Sequence, residues 1–276
     1  MTSKPCGDSK FATSTDTPPS YTTTSTSALV DSLQHGRRFS FLPSRQTRNT
    51  VLTCIRDIVS APDFTPSSVI PIVDACAAAL SAVEFSDLLQ TRNIEGHTAL
   101  YWAIVNERRE AFSALSGFIS EFSSACSSDL RVACMMTSDQ ALFLQLNLGN
   151  LKSNNEPLRR FLGCSPDEVQ LDPGDGLGEN QFIARLRIRK FQQRLLTTGE
   201  VGVEFVAGGR IWLFQFCMNR NGRWCISLTL AAPSLPARPA GVVRIKSHRG
   251  KPGSAAPPSG LRCKISMPPG VLVPAG

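Results

Sequence analysis

Apolar and polar positions along the chain follow two different periods. From Ser44 to about Asn150 apolar residues recur three and four apart, and from about Asn155 to Leu230 they alternate. In TVLTCIRDIV the apolar positions are Val51, Leu52, Ile55, Ile58 and Val59, one stripe of an amphipathic helix. Pro62 and Pro66 end it. SSVIPIVDACAAALSAV follows, with Ser67 or Ser68 as N-cap and alanines that let helices approach closely. EFSDLLQT, RREAFSALSGFISEF, SSDLRVACMMTS and SDQALFLQLNL predict further short helices, so the region reads as helix pairs, each about 30 residues long.

In the alternating region, QFIARLRIRKF sends Phe182, Ala184, Leu186 and Ile188 to one side and Ile183, Arg185, Arg187 and Arg189 to the other, as in a half-buried strand. EVGVEFV sets Val201, Val203 and Phe205 against Glu200, Gly202 and Glu204. RIWLFQFCMN is apolar on both faces and predicts a central strand. RWCISLTL turns Trp224, Ile226, Leu228 and Leu230 inward. Ala207-Gly208-Gly209 and Asn221-Gly222 mark the turns between strands. PDEVQLDPGDGLGEN reads as turns ahead of the first strand. The ladder Arg185, Arg187, Arg189 has two readings: a grip for phosphates or an acidic peptide, or cross-strand pairing with Glu200 and Glu204. The second needs no extra partner.

Composition fills in the ends. Residues 1–43 are rich in Ser and Thr with almost no apolar pattern, which predicts disorder. Within them RRFS, Arg37 to Ser40, has the form that basophilic kinases favour. The net charge of +7 is uneven: no acidic residue follows Glu204, while ten Lys and Arg do. Such a basic C-terminal part is attracted to acidic protein surfaces, RNA or anionic membrane without sequence specificity. PSLPAR, Pro233 to Arg238, matches the PxxPxR form bound as polyproline II. The expected organisation is α+β: 1–43 disordered, 44–150 stacked helical hairpins, 155–232 a small antiparallel β-domain, and 233–276 a Pro/Gly-rich basic tail with GVVRIKSH as one possible extra strand.

Candidate chemistry is sparse. The nine cysteines include no CxxC, several sit inside apolar runs, and there are only three histidines, which argues against a disulfide framework or zinc site and for a reducing compartment. No Ser or Cys nucleophile has a His partner in a local signature. GDGLGEN lacks the helix-opening GxGxxG and the Gly-Lys-Ser/Thr of phosphate loops, and Asp172, Asp175 and Glu179 do not follow a calcium-loop pattern. No catalytic residue, cofactor or metal is expected. No apolar run approaches the ~18 residues of a membrane span, and the N-terminus lacks the apolar stretch of a secretory signal. An intracellular protein, cytoplasmic or nuclear, is the expectation.

One stretch carries a family resemblance. NIEGHTALYWAIVNERREAFSAL supplies Asn93, Gly96, Thr98, Leu100 and Ala103, with Glu110 and Leu115 further on. It resembles one ankyrin repeat, in which Ala99 stands for Pro and Tyr101 for His. In that frame Gly96 takes positive φ, Thr98 caps the first helix, and Leu100 and Ala103 face the partner helix. A repeat needs stacked neighbours, about three as a minimum. SSVIPIVDACAAALSAVEFSDLLQT and SSDLRVACMMTSDQALFLQLNL offer degenerate ones, and a generic helical bundle is the alternative. The resemblance implies a non-enzymatic adaptor for protein–protein interaction, contacting its partner through Ile94, Glu95, His97, Val105 and Asn106 at the turn tip and first helix. A basic nucleic-acid-associating protein and a divergent enzyme are the rival classes. In the β-region, Ile188, Phe191, Phe205, Gly208, Gly209, Trp212 and Ile226 to Leu230 resemble part of a MATH-type sandwich, an unrelated small sheet being the alternative. That family's binding residues lie on strands this chain does not repeat, so none are carried over.

Overall fold

The helices begin where local signals stop the strand-forming and loop conformations from competing. The computed structural model describes residues 44–64, 68–149, 155–173, 181–245, 261–265 and 272–274. The segment 1–43, with Ser40 and its RRFS motif, lies outside the described residues. The described chain is α+β, mixing helices with three small antiparallel sheets.

Helix α1 (Ser44–Ser60) buries Thr47, Val51, Cys54, Ile55, Ile58 and Val59 along one stripe and stops short of Pro62. Helix α2 (Ile70–Ala78) has Pro71 in its first turn and buries Val73 and Cys76. Ser68 was the expected cap, together with Ser67, which is not among the described residues. The N-cap is instead Val69, which has no side-chain cap of its own. Glu110 supplies one from 41 residues away: its Oε1 accepts from the Val69 N–H at 2.9 Å and from the Ser68 hydroxyl at 2.9 Å. A carboxylate at a helix N-terminus satisfies orphan donors and meets the positive end of the helix dipole. Helix α3 (Ala82–Gln90) carries a complete capping box between Ser81 and Glu84.

The middle pair is α4 (Ala99–Val105) and α5 (Arg109–Ser116), followed by α6 (Ser124–Thr137) and α7 (Gln140–Gln145). Helix α4 packs between α1 and α6, while α2 lies against α5 and α3 against α4. Thr98 caps α4 and Leu100 and Ala103 are buried under it. Asn106 Nδ2 donates to the Val59 carbonyl at 2.8 Å and Arg108 reaches the Ala61 carbonyl at 2.9 Å, fastening the α4–α5 turn to the end of α1.

In the second part, β3 (Glu200–Ala207), β4 (Arg210–Met218) and β5 (Trp224–Leu230) form an antiparallel sheet with β4 in the centre, matching its two apolar faces. One face buries Val203, Phe205, Ala207, Trp212, Phe214 and Leu230. A buried side chain of this size favours folding by about 1.5–3 kcal/mol. Across that face lie β1 (Glu168–Pro173) and β2 (Phe182–Arg187), which pair antiparallel and contribute Val169, Leu171, Phe182, Ala184 and Leu186. Helix α8 (Asn155–Phe161) precedes β1 and packs on α9 (Phe191–Thr198).

The turn-rich reading of PDEVQLD fails because Glu168 to Pro173 is strand β1. The arginine ladder therefore does not face Glu200 and Glu204: Arg185 pairs with Asp172, and Arg187 and Arg189 with Glu168 at 3.5 and 3.0 Å. The principle of cross-strand pairing holds, but the neighbouring strand is β1 rather than β3. The expected long strand ends at Arg187, and Phe191 onward is helical. Beyond β5, Ser234 within PSLPAR is buried and its hydroxyl bonds both Ile211 N–H and Ile211 carbonyl. Residues 233–276 include β6 (Gly241–Ile245), part of the expected GVVRIKSH strand, and β7 (Leu261–Ile265), paired antiparallel.

The helical and sheet parts belong to one compact unit, Leu42–Gly276. The Arg131 guanidinium on α6 makes a two-pronged ion pair with Glu204 on β3, at 2.8 and 3.3 Å, both side chains being buried. Arg131 also donates to the Leu148 carbonyl and lies over the Phe143 ring. Gln140 Oε1 accepts from Val206 N–H at 2.6 Å and Ser138 Oγ from Gly209 N–H at 3.0 Å. The Glu204 carboxylate, the Val206 N–H and the Gly209 N–H of the following turn are thus met by α6, α7 and the turn between them.

Candidate interaction surface

Three of the five sequence candidates, Ile94, Glu95 and His97, sit in the turn that opens α4, while Val105 and Asn106 lie at its C-terminal end. Ile94 and His97 pair through reciprocal backbone hydrogen bonds of 3.1 and 2.9 Å. Between them Glu95 and Gly96 both have left-handed backbone, φ 51° and 81°, the signature of a type I′ turn. Glycine tolerates that region without steric cost, whereas Glu95 adopts it against its Cβ. The Trp102 indole N–H donates to the Ile94 carbonyl at 2.9 Å and holds the turn onto its own helix.

Asp129, in the second turn of α6 and 1% exposed, organises the base of this turn. Its Oδ2 accepts from Thr98 N–H at 2.7 Å, and its Oδ1 lies 2.7 Å from His97 Nδ1 and 3.5 Å from Arg92 Nε. A carboxylate can only accept, so the His97 proton is assigned to Nδ1. The His97 ring stacks on Tyr101, centroids 3.7 Å apart and planes within 8°. Burial, and then the Asp129 charge, push the Tyr101 hydroxyl above its ordinary range. The nearby Cys126 thiol is pushed up to about 12, by burial first and Asp129 second, and stays protonated at neutral pH.

The candidates therefore divide. Ile94 is 2% exposed and belongs to the core. Asn106 is exposed but engaged with Val59. Glu95 is exposed and pairs with Arg56 at 3.3 Å. His97 and Val105 are half-buried. Sequence reasoning missed Asp129, although a signal was present: it is a charge on the stripe Cys126, Asp129, Leu130, Ala133, which is otherwise apolar. Among the described residues no group of three or more His, Cys, Asp or Glu is placed to hold a metal ion, and no helix is long and apolar enough to cross a membrane.

No protein-family model, curated protein or solved structure matches this chain.

Proposed function

We propose that the chain is a non-enzymatic interaction protein whose helical part, with ankyrin-like stacking, presents the Glu95–Gly96 tip and the adjoining face of α4 to a partner protein. One observation carries this reading. The tip is exposed while the Asp129 carboxylate beneath it is buried and bonded to both His97 and the Thr98 N–H, so the loop is held in one conformation at its base and exposed at its end. A surface fixed in advance loses less entropy on binding. Within the candidate set Glu95, His97 and Val105 would meet the partner, and Ile94 and Asn106 hold the shape from behind.

Proximity labelling with the full chain tests it, comparing wild type with Glu95→Lys/Val105→Asp. The expected result is loss of a defined set of labelled proteins at an unchanged unfolding midpoint. An identical labelled set overturns the reading.

A second reading, weak contact with nucleic acid, has its own observation. Arg244 and Arg262 lie directly opposite across β6 and β7, both exposed, with Lys264 two residues further along the same face. Like charges in cross-strand positions destabilise a sheet, and among the described residues none of the three has an ion-pair partner. Phosphates would relieve that repulsion. Binding of a labelled oligonucleotide that weakens steeply with salt, and is lost in Arg244→Gln/Arg262→Gln, supports this reading; no binding at low salt removes it.

A further inference from the structure

We propose that Cys217 and Cys225 form a reversible oxidation site, a cross-strand dithiol at the loop end of the β4–β5 hairpin that a hydroperoxide converts to a disulfide. Cys217 and Cys225 are register partners on adjacent antiparallel strands, so both side chains leave the same face of the sheet. That face is opposite the aromatic core formed by Phe214, Phe216 and Leu228. Both thiols are free and half-exposed.

The register fixes their separation. Asn219 N–H donates to the Arg223 carbonyl and Ala231 N–H to the Ile211 carbonyl, each at 2.9 Å. Counting by twos from either end places Cys217 and Cys225 on a hydrogen-bonded pair. Such pairs hold their Cα atoms about 5.5 Å apart, inside the ~4.4–6.8 Å that disulfides span. Their Cβ atoms must close from roughly 5.5 Å to about 3.8 Å. The hairpin can accommodate this because the pair is one residue from the end of β4, where the loop from Asn219 to Arg223 begins. A bond closed against its register is more readily reduced, which suits a reversible modification.

No other described cysteine has this geometry. Cys263 faces Val243 across its sheet, and Cys164 follows α8 in a loop. Cys54 and Cys76 are in contact between α1 and α2, but both are buried. Cys126 and Cys134 are buried and pushed up to about 12, in each case by burial first.

The chemistry balances in two steps. One sulfur attacks the hydroperoxide, breaking the O–O bond; it becomes a sulfenic acid, and its proton leaves with the alcohol or water. The second thiol attacks that sulfur, forming the S–S bond and releasing water with the second proton. Two electrons pass from the thiol pair to the peroxide.

The test treats the full chain with stoichiometric hydrogen peroxide, blocks remaining thiols with N-ethylmaleimide and maps peptides without reduction. The expected product is a Cys217–Cys225 linked peptide, lighter by two hydrogens and released by dithiothreitol. Cys217→Ser should abolish the link and leave Cys225 as a sulfenic acid trappable by dimedone. The proposal is overturned if both cysteines are alkylated as fully after peroxide as before, or if oxidation instead links Cys54 to Cys76, or either hairpin cysteine to Cys164, Cys263 or a second chain.

Discussion

The turn at Glu95–Gly96 and the turn at Gly208–Gly209 are built alike and used differently. Both have two central residues with left-handed backbone. In both, a tryptophan indole donates back to a carbonyl at the turn's foot, Trp102 to Ile94 at 2.9 Å and Trp212 to Ala207 at 3.0 Å. The helical tip is exposed and anchored at its base through Asp129. The sheet tip is half-buried, its Gly209 N–H taken by Ser138 from the helical part. Local turn chemistry sets the shape of each; what lies beyond the turn decides whether it faces solvent or joins two parts of one molecule.

Breaking the ion pair beside the inner tip should have the largest effect. Glu204→Ala leaves the Arg131 charge buried without its carboxylate and should cost about 3–5 kcal/mol in urea unfolding. The double variant Arg131→Met/Glu204→Leu should recover most of that loss, since a packed apolar pair avoids the desolvation of both charges. At the outer tip, Asp129→Ala strands the Thr98 N–H, whose residue is fully buried, and should cost about 2–3 kcal/mol. Hydrogen exchange should then show faster exchange at Thr98 and unchanged protection at Gly209.

The turns themselves should respond equally. A Cβ at Gly96 or at Gly209 meets nothing within 4 Å, so Gly96→Ala and Gly209→Ala each carry only the conformational cost of left-handed backbone, about 1–2 kcal/mol. A much larger loss at Gly209 alone would mean that the inner tip is shaped by crowding and not by its own backbone.

The smallest effect is acidic. Hydrogen bonds hold three carboxyls below their ordinary range: Glu84 through the Ser81 hydroxyl first, Glu110 through the Val69 N–H first, and Glu168 through Arg189 first. A folded-state value below the unfolded one contributes stability that is complete above the ordinary carboxylate value of about 4.3. It is lost as pH falls through the lowered value. Glu110→Gln should flatten part of the acid limb of the unfolding profile, and an unchanged limb would show that the α2 cap contributes nothing.

The strands were legible because alternation is a property of neighbours in sequence. Val203 and Phe205, the central place of β4, and Ile226, Leu228 and Leu230 follow from a period of two, whereas Trp224, expected inward with them, is exposed at the loop end of β5. Gly96 and Thr98 were legible for the same reason, a turn and a cap being settled within three residues. Contacts over long separations were not. Glu110 capping α2, Asp129 under the turn, and Arg131 meeting Glu204 each join residues 31 to 73 apart, and nothing in a local period says which distant charge will answer. Strand β1 was hidden by its own acids: Glu168 and Asp172 read as turn residues until the arginines of β2 supplied their partners.

Gln140 has one more effect. It occupies the Val206 N–H on the outer margin of β3, and a bare strand margin is where sheets recruit foreign chains. A foreign strand approaching β3 would find its seat at Val206 already taken, like a zipper with one tooth filled.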